Sequence, residues 1–305
     1  MDIGIVGAGN IGSYYAGLLS HAGTTVKLVA RGPHLDAING RGLEVRTPDR
    51  AIVAHPAAAS DPAIVADCDA VIVAVKSYSL GEVAPGLAAA ASNGAAILPL
   101  LNGVDVAERL AGFGVPRESI VGGLVAASVF RTAPGVVERR SPFDRVRIGE
   151  FDRTTSVRAQ GLVDAFAAAG VAAELSQDIS FDLWRKFSFI VPMNVVCGLS
   201  RGPMGPVLAA ERGRKLVAES LHELAEVARA AGVPFGKEEE AKVCHDLLAL
   251  GPGMRPSFLA DLERGGPTEL DALAGTVSRL GHEHGVPTPI HDVATAAFAI
   301  ATEQS

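Results

Sequence analysis

From the N-terminus to about residue 175, short apolar runs alternate with stretches of helical character. The runs fall at residues 3–6, 26–30, 70–75 and 95–101 and are rich in Val, Ile and Leu. Runs apolar on both faces suit parallel strands covered by helices above and below. Between them, residues 11–22, 80–91 and 104–110 read as crossover helices. Thr47-Pro48-Asp49-Arg50 reads as a turn between two short strands, a hairpin inserted near the sheet edge. After residue 118 the strands crowd together, at 120–130, 135–138 and 146–148, followed by a helix over 156–169. The first half is α/β.

Beyond about residue 176 strand signals almost vanish. Leu208, Leu216, Leu221, Leu224 and Val227 keep a roughly helical spacing, closed by Gly232 and Pro234. A second helix is expected over 237–250, stopped by Gly251-Pro252-Gly253. A third is expected from Thr268 to about His284, with Leu270, Leu273, Val277 and Leu280 as its buried stripe. There is no internal repeat, low-complexity tail or long linker. The pattern predicts two domains, 1–175 and 176–305, the second all-helical.

Composition narrows the class. The 305 residues are 48% hydrophobic and 20% charged, near the globular average, so a disordered or fibrous chain is excluded. A net charge of -7 leaves no broad basic surface for nucleic acid or anionic lipid. Nowhere do enough apolar residues run together to span a membrane. A strand signal begins at Asp2, so no targeting leader is expected. Cys68, Cys197 and Cys244 are far apart and in no CxxC pair, which fits neither a disulfide framework nor a zinc cage. A reducing cytoplasm is the expected compartment.

Gly7-Ala8-Gly9-Asn10-Ile11-Gly12 is a complete GxGxxG, placed directly after a strand and opening a helix. The first glycine permits the tight turn, the second lets a pyrophosphate approach the backbone, and the third lets helix and strand pack closely. Free N–H groups at the helix start attract the anion. The motif alone is weak, but this context is the one it requires. At the end of the second strand, where NAD-binding chains carry an acid, stands Arg31, with no carboxylate until Asp36. An arginine fork grips a 2′-phosphate that a carboxylate would repel. Lys76, just past the strand at 70–75, adds a second cation, and the pair favours NADP.

Other candidates are less decided by sequence. Asn102-Gly103 follows a strand end, where open α/β sheets bind ligands, yet the same dipeptide serves an ordinary turn. Lys186 is flanked by Trp184, Phe187 and Ile190. Desolvation there would lower its pKa and suit it to proton transfer; a snorkelling surface lysine has the same composition. Lys186, Ile190 and Asn194 share a helix flank, with Pro192 expected to kink it. Thr268 reads as an N-cap with Asp271 completing an approximate capping box, which puts Glu269 in the first helical turn, where the dipole alone favours acids. Ser257 follows Pro256 and reads as a cap of a short segment. His282 and His284 point apart on a helix, and no metal site or catalytic triad is found.

These residues form a set. The glycine turn, Arg31, Lys76, Asn102-Gly103, Trp184-Arg185-Lys186-Phe187, Asn194, Ser257 and Thr268-Glu269-Leu270-Asp271 resemble, in order and spacing, the ketopantoate reductase (2-dehydropantoate 2-reductase) family. The resemblance covers nearly the whole chain. It implies a Rossmann-type, doubly wound NADP-binding domain followed by a helical substrate and catalytic domain like that of 6-phosphogluconate dehydrogenase. It implies hydride transfer from NADPH to a 2-oxo acid, most of all ketopantoate, in pantothenate biosynthesis. Lys186 then matches the lysine that protonates the carbonyl oxygen, and Glu269 a carboxylate that orients the site at the cofactor. Ser257 and Asn194 match substrate-binding residues, and Asn102 one that touches cofactor and substrate.

Two positions depart from the family pattern: Ile190 and, in the following loop, Met204 stand where asparagines are typical. Loss of such amides redirects recognition away from a hydroxylated substrate. Reduction of a more apolar 2-oxo acid is therefore a second reading, and a non-catalytic NADPH-binding sensor a third. The alanine- and leucine-rich helices serve an internal core or a homodimer face equally well.

Overall fold

A computed structural model of the chain describes residues 1–265 and 268–303. It divides into two compact units, residues 1–101 with 106–179, and residues 102–105 with 180–305. We call them the sheet unit and the helical unit.

The sheet unit opens with β1 (Ile3–Val6), α1 (Asn10–His21), β2 (Val26–Val29) and α2 (Gly32–Arg41). Next come β3 (Leu43–Arg46), β4 (Ala51–Ala54), β5 (Ala57–Ala59), β6 (Ala70–Val73), α3 (Leu80–Ser92), β7 (Ala96–Pro99) and α4 (Val106–Gly112). The unit ends with β8 (Gly122–Ala126), β9 (Val129–Ala133), β10 (Val136–Arg139), β11 (Arg145–Gly149), α5 (Val157–Ala168) and β12 (Ala172–Leu175).

Five strands form one parallel sheet in the order β5-β2-β1-β6-β7, with Ile3 opposite both Val26 and Ala70. β1, β6 and β7 are buried at every position, as strands covered on both faces must be. The doubly apolar runs thus identified the sheet. The hairpin around Thr47–Arg50 forms, with the Thr47 hydroxyl accepting the Arg50 N–H at 3.1 Å, but not at that sheet's edge. β3 and β4 belong instead to a separate four-stranded sheet, β4-β3-β10-β9. The single strand expected over 120–130 is two strands in two sheets, β8 lying in the sheet β12-β11-β8. Its break is fixed where Ser128 donates its N–H to Ser141 Oγ at 2.9 Å and accepts from the Arg140 N–H at 2.8 Å.

α1 is buried along nearly its whole length. Tyr14 and Tyr15 donate their hydroxyls to the two oxygens of Asp144, at 2.6 and 2.9 Å, and Tyr15 packs edge-on to Phe166. Burial and the Asp144 carboxylate both push the Tyr15 phenol upward, so it stays a donor.

The helical unit contains α6 (Ile179–Ser200, of which Ile179 closes the sheet unit), α7 (Met204–Ala209), α8 (Glu211–Ala230) and α9 (Lys237–Leu248). After these come α10 (Ser257–Arg264), α11 (Ala274–His284) and α12 (Pro289–Glu303). α6 runs through Pro192. α8 buries Val217, Leu221, Leu224 and Val227, while Leu208, expected on the same helix, lies in α7.

The helix expected from Thr268 is interrupted. Residues Leu270–Ala272 make a 3-10 turn, Leu273 adopts φ -113 and ψ -101, and α11 starts only at Ala274. Thr276 supplies a reason: its hydroxyl donates to the Asp271 carbonyl at 2.8 Å, the oxygen that a continuous helix would give to the Gly275 N–H. Thr268 therefore caps no α-helix, and Glu269 precedes a 3-10 turn instead of sitting in a helical first turn.

Candidate active site

β2, β1 and β6 are neighbours in the sheet, so their carboxyl ends deliver Arg31, the glycine turn and Lys76 to one edge. The three glycines differ in what confines them. Gly7 has φ +108, and a Cβ on it would lie 2.7 Å from the Ala74 carbonyl oxygen. A Cβ on Gly12 would lie 1.9 Å from the Gly7 carbonyl oxygen, which forbids any side chain. Over Gly9 the nearest atom would be Ala74 O at 3.8 Å, so that glycine is not required by packing. The space it leaves open lies at the start of α1, whose first turn has no acidic residue and no side-chain cap from Gly9. Backbone donors facing open space suit a pyrophosphate, so the turn fits a dinucleotide. Ala8 and Ile11 pack against the core below the turn. Asn10 points elsewhere, its Oδ1 accepting the Arg131 N–H of β9 at 3.0 Å.

Arg31 is exposed, and its Nη1 lies 2.8 Å from Glu82 Oε1 in the first turn of α3. The carboxylate missing from the end of β2 is thus brought near Arg31 by another element. Glu82 carries no sequence signal of its own, because it stands far beyond the spacing after the glycine turn at which an NAD-binding chain places its acid. Lys76 is half-buried and leads into the short 3-10 turn Ser77–Ser79.

In the first turn of α2, His34 is buried between Ser13 of α1 and Gly135. Its Nδ1 accepts the Gly135 N–H at 2.9 Å, so the ring proton resides on Nε2, 2.9 Å from Ser13 Oγ. Burial, with the Arg131 charge, pushes His34 down to about 4.

In the helical unit, Lys186 is half-buried on α6 between the buried Trp184 and Phe187. Burial pushes its ammonium down to about 8, and the carboxylate of Glu269 pulls the other way. Glu269 is itself 7% exposed. The fold thus brings together a lysine and a buried carboxylate that lie far apart in sequence.

Asn194 is buried, with Nδ2 donating to the Ile190 carbonyl at 2.6 Å and Oδ1 accepting the Phe258 N–H at 3.3 Å. One donor hydrogen and one acceptor lone pair are therefore already engaged, and they tie α6 to the start of α10. Ser257, the first residue of α10, is exposed and caps nothing; the residue before the helix is Pro256. Ile190 is half-buried. Met204 is fully buried in the helical core, with its N–H on the Met254 carbonyl at 3.0 Å. The exposed side chain of that pair is Met254, in the loop before Ser257.

Asn102 groups with the helical unit although it follows β7. Three residues later the buried Asp105 pairs with Arg279 of α11 at 2.6 Å. Nothing in the sequence announces that pair. Among the described residues no group of three or more His, Cys, Asp or Glu side chains is placed to hold a metal. No helix among them is long and apolar enough to cross a membrane.

A parallel sheet with a nucleotide-binding turn, followed in one chain by an all-helical unit bearing a low-pKa lysine, is the plan of a dinucleotide-dependent oxidoreductase. The chain belongs to the ketopantoate reductase PanE/ApbA family: residues 3–153 match the family's model and residues 178–301 match that of its C-terminal part. It is 29% identical to the 2-dehydropantoate 2-reductase of Halobacterium salinarum over 95% of both chains. A crystal structure of a PanE/ApbA family ketopantoate reductase from Ralstonia eutropha superposes with TM-score 0.90 at 29% identity, covering 100% of this chain and 99% of that one. A D-mandelate dehydrogenase, solved with NADH and anilino(oxo)acetate, superposes with TM-score 0.86 at 25% identity, covering 100% of this chain and 99% of that one. The reaction class is therefore reduction of a 2-oxo acid.

Proposed function

We propose that the chain is an NADPH-dependent reductase of 2-dehydropantoate (ketopantoate), forming pantoate in pantothenate biosynthesis in the cytoplasm. The observation that carries this reading is Lys186, an ammonium brought down to about 8 and held beside the buried Glu269. NADPH, when bound, supplies the hydride. The open backbone at Gly9 and the first N–H groups of α1 hold its pyrophosphate, within the turn from Gly7 to Gly12, and Arg31 and Lys76 hold its 2′-phosphate. Lys186 donates a hydrogen bond to the ketone oxygen, stabilises the negative charge that develops there, and gives up its proton to form the alcohol. At neutral pH it is still largely protonated, yet it releases the proton more readily than an ordinary lysine. Glu269 keeps the ammonium charged and orients it. Ser257 and Asn102 supply hydrogen bonds to the substrate, Asn102 also to the cofactor. Asn194 reaches the substrate with its remaining hydrogen-bonding capacity while holding the start of α10.

A second reading, a more apolar 2-oxo acid, is favoured by Ile190, half-buried one helical turn past Lys186. The bound anilino(oxo)acetate of the D-mandelate dehydrogenase is an acid of that kind.

The test is steady-state oxidation of NADPH, followed by absorbance, with ketopantoate and with a panel of aliphatic and aromatic 2-oxo acids, NADH serving as control. Preference for NADPH and ketopantoate supports the first reading. Faster turnover of the apolar acids moves the assignment to the second. Tight NADPH binding with no turnover of any 2-oxo acid sinks both and leaves a sensor. Sedimentation of the same preparation shows whether the chain is a homodimer.

A further inference from the structure

The stretch from Asn102 to Asp105 lies between two elements of the sheet unit, β7 and α4, yet it groups with the helices. Two side chains account for this. Val104 packs against the helical core. Asp105, 8% exposed, places Oδ2 2.6 Å from Arg279 Nη2 on α11. Thr276 Oγ1 lies 3.5 Å from the same oxygen, but its single proton is better directed at the Asp271 carbonyl at 2.8 Å, so Arg279 is the effective partner.

The arrangement is costly. Asp105 Oδ1 is buried and has no hydrogen-bond partner among the described residues. An aspartate immediately before a helix is ordinarily its N-cap, and Asp105 directly precedes α4. Its hydrogen bonds go to α11 instead, and the local stabilisation is forgone. A broken local rule with an unsatisfied buried atom marks a position held for another purpose. That purpose is visible in what the segment carries. Gly103 has φ +127, a conformation other residues rarely adopt, so the backbone next to Asn102 is fixed. The half-buried Asn102 amide makes no hydrogen bond among the described residues.

We propose that Asp105 and Arg279 are positioning residues: their pair latches the segment onto α11 and so presents the free amide of Asn102 to ligand. The inference rests on the reading of Asn102 as a ligand contact, and two independent measurements separate its fate from that reading.

The first is a double-mutant cycle on kcat/KM for the preferred 2-oxo acid, with Asp105→Asn, Arg279→Gln and Asn102→Ala, melting temperatures being recorded for each. Asp105→Asn keeps the shape of the side chain and removes the charge. It is expected to lower kcat/KM about tenfold, as small misplacements of a contact group do. On the Asn102→Ala background it should cost nothing further, and Arg279→Gln should behave likewise. Glu283→Gln removes the other partner of Arg279 and should leave the rate alone. Equal losses with and without Asn102 overturn the latch, because a purely structural effect adds.

The second is the side-chain amide resonance of Asn102, assigned by its disappearance in Asn102→Ala. It should shift or broaden in Asp105→Asn and hold still in Glu283→Gln. A resonance unmoved by Asp105→Asn overturns the proposal whether or not any oxo acid is reduced. Absence of turnover in the unmodified protein would instead overturn the functional reading, and the resonance would still decide the latch.

Discussion

In the sheet unit the proposed pyrophosphate site is made of backbone N–H donors at the start of α1, where side chains are absent, with Arg31 and Lys76 proposed only for the 2′-phosphate. In the helical unit the proposed site rests on two side chains, Lys186 and Glu269, that only the folded helices bring together. A backbone site is specified by a few consecutive residues, because a turn is a local object. A side-chain pair is specified by the packing of a whole unit, and its chemistry depends on burial that no short motif encodes. The first site is thus robust to changes elsewhere, whereas the second is tunable.

The largest effect expected from breaking this contrast is at Lys186. Lys186→Ala removes the proton donor and should lower kcat by about a hundredfold to ten-thousandfold, the range for general acid catalysis, with the Kd of NADPH unchanged. In the unmodified enzyme the rate should hold below about pH 8 and fall above it, because the protonated amine is the active form. Glu269→Gln should move that fall to lower pH, since the carboxylate is what raises the lysine.

Next come the glycines, which separate packing from binding. Gly12→Ala drives a methyl into the Gly7 carbonyl and should cost roughly 1–3 kcal/mol or more of stability, read as a fall in Tm. Gly9→Ala meets only an ordinary contact, so Tm should change by less than about 0.5 kcal/mol's worth. Its Kd for NADPH should nevertheless rise steeply, because the methyl fills the space left for pyrophosphate. Equal loss of Tm in both variants would show that Gly9 is a packing glycine after all.

His34 gives a smaller effect confined to acid. Its ring is held neutral to about pH 4 when folded and titrates near its ordinary 6.5 when unfolded. Between those values the unfolded state binds more protons, so stability is complete above about 6.5 and is lost as pH falls toward 4. The full loss is about 3 kcal/mol. Urea midpoints at pH 7 and 4.5 should differ less in His34→Gln than in the unmodified protein. The smallest effect is at Glu82. Releasing Arg31 from this exposed pair in Glu82→Gln should tighten NADPH about two- to fivefold and leave NADH unchanged, as measured by quenching of the nicotinamide fluorescence.

Much of the sheet unit was legible because its signals are local: β1, β6 and β7 are apolar runs, and the glycine turn follows one of them. The elements missed there owe their form to partners. Ala57–Ala59 has no strand propensity and becomes β5 by pairing with β2, Ala58 opposite Leu28. α2 begins with Gly32 and Pro33 and buries only three residues, so its periodicity is faint. In the helical unit the long helices were visible from their stripes, but the interruption at Leu273 was not, because it depends on a hydroxyl three residues on taking a carbonyl. The burial of Lys186 was only half legible, because its apolar neighbours fit a snorkelling lysine as well as a desolvated one. Glu82, Asp105 and Arg279 were not legible, because each matters only through a residue distant in sequence. The burial of Met204 was not legible for the same reason: it is decided by α7 and the loop at Met254.

The return of residues 102–105 to the helices has a consequence for how the gene can be divided. The helical unit is encoded in two pieces, so expression of residues 180–305 alone would yield a body missing Val104 from its core and leaving Arg279 without Asp105. Expressing residues 1–179 alone would make the reciprocal error and strand that tetrapeptide on a surface it was not built for. Any fragment complementation or domain exchange with a relative must therefore transplant two segments together, with Asn102 travelling with the helices.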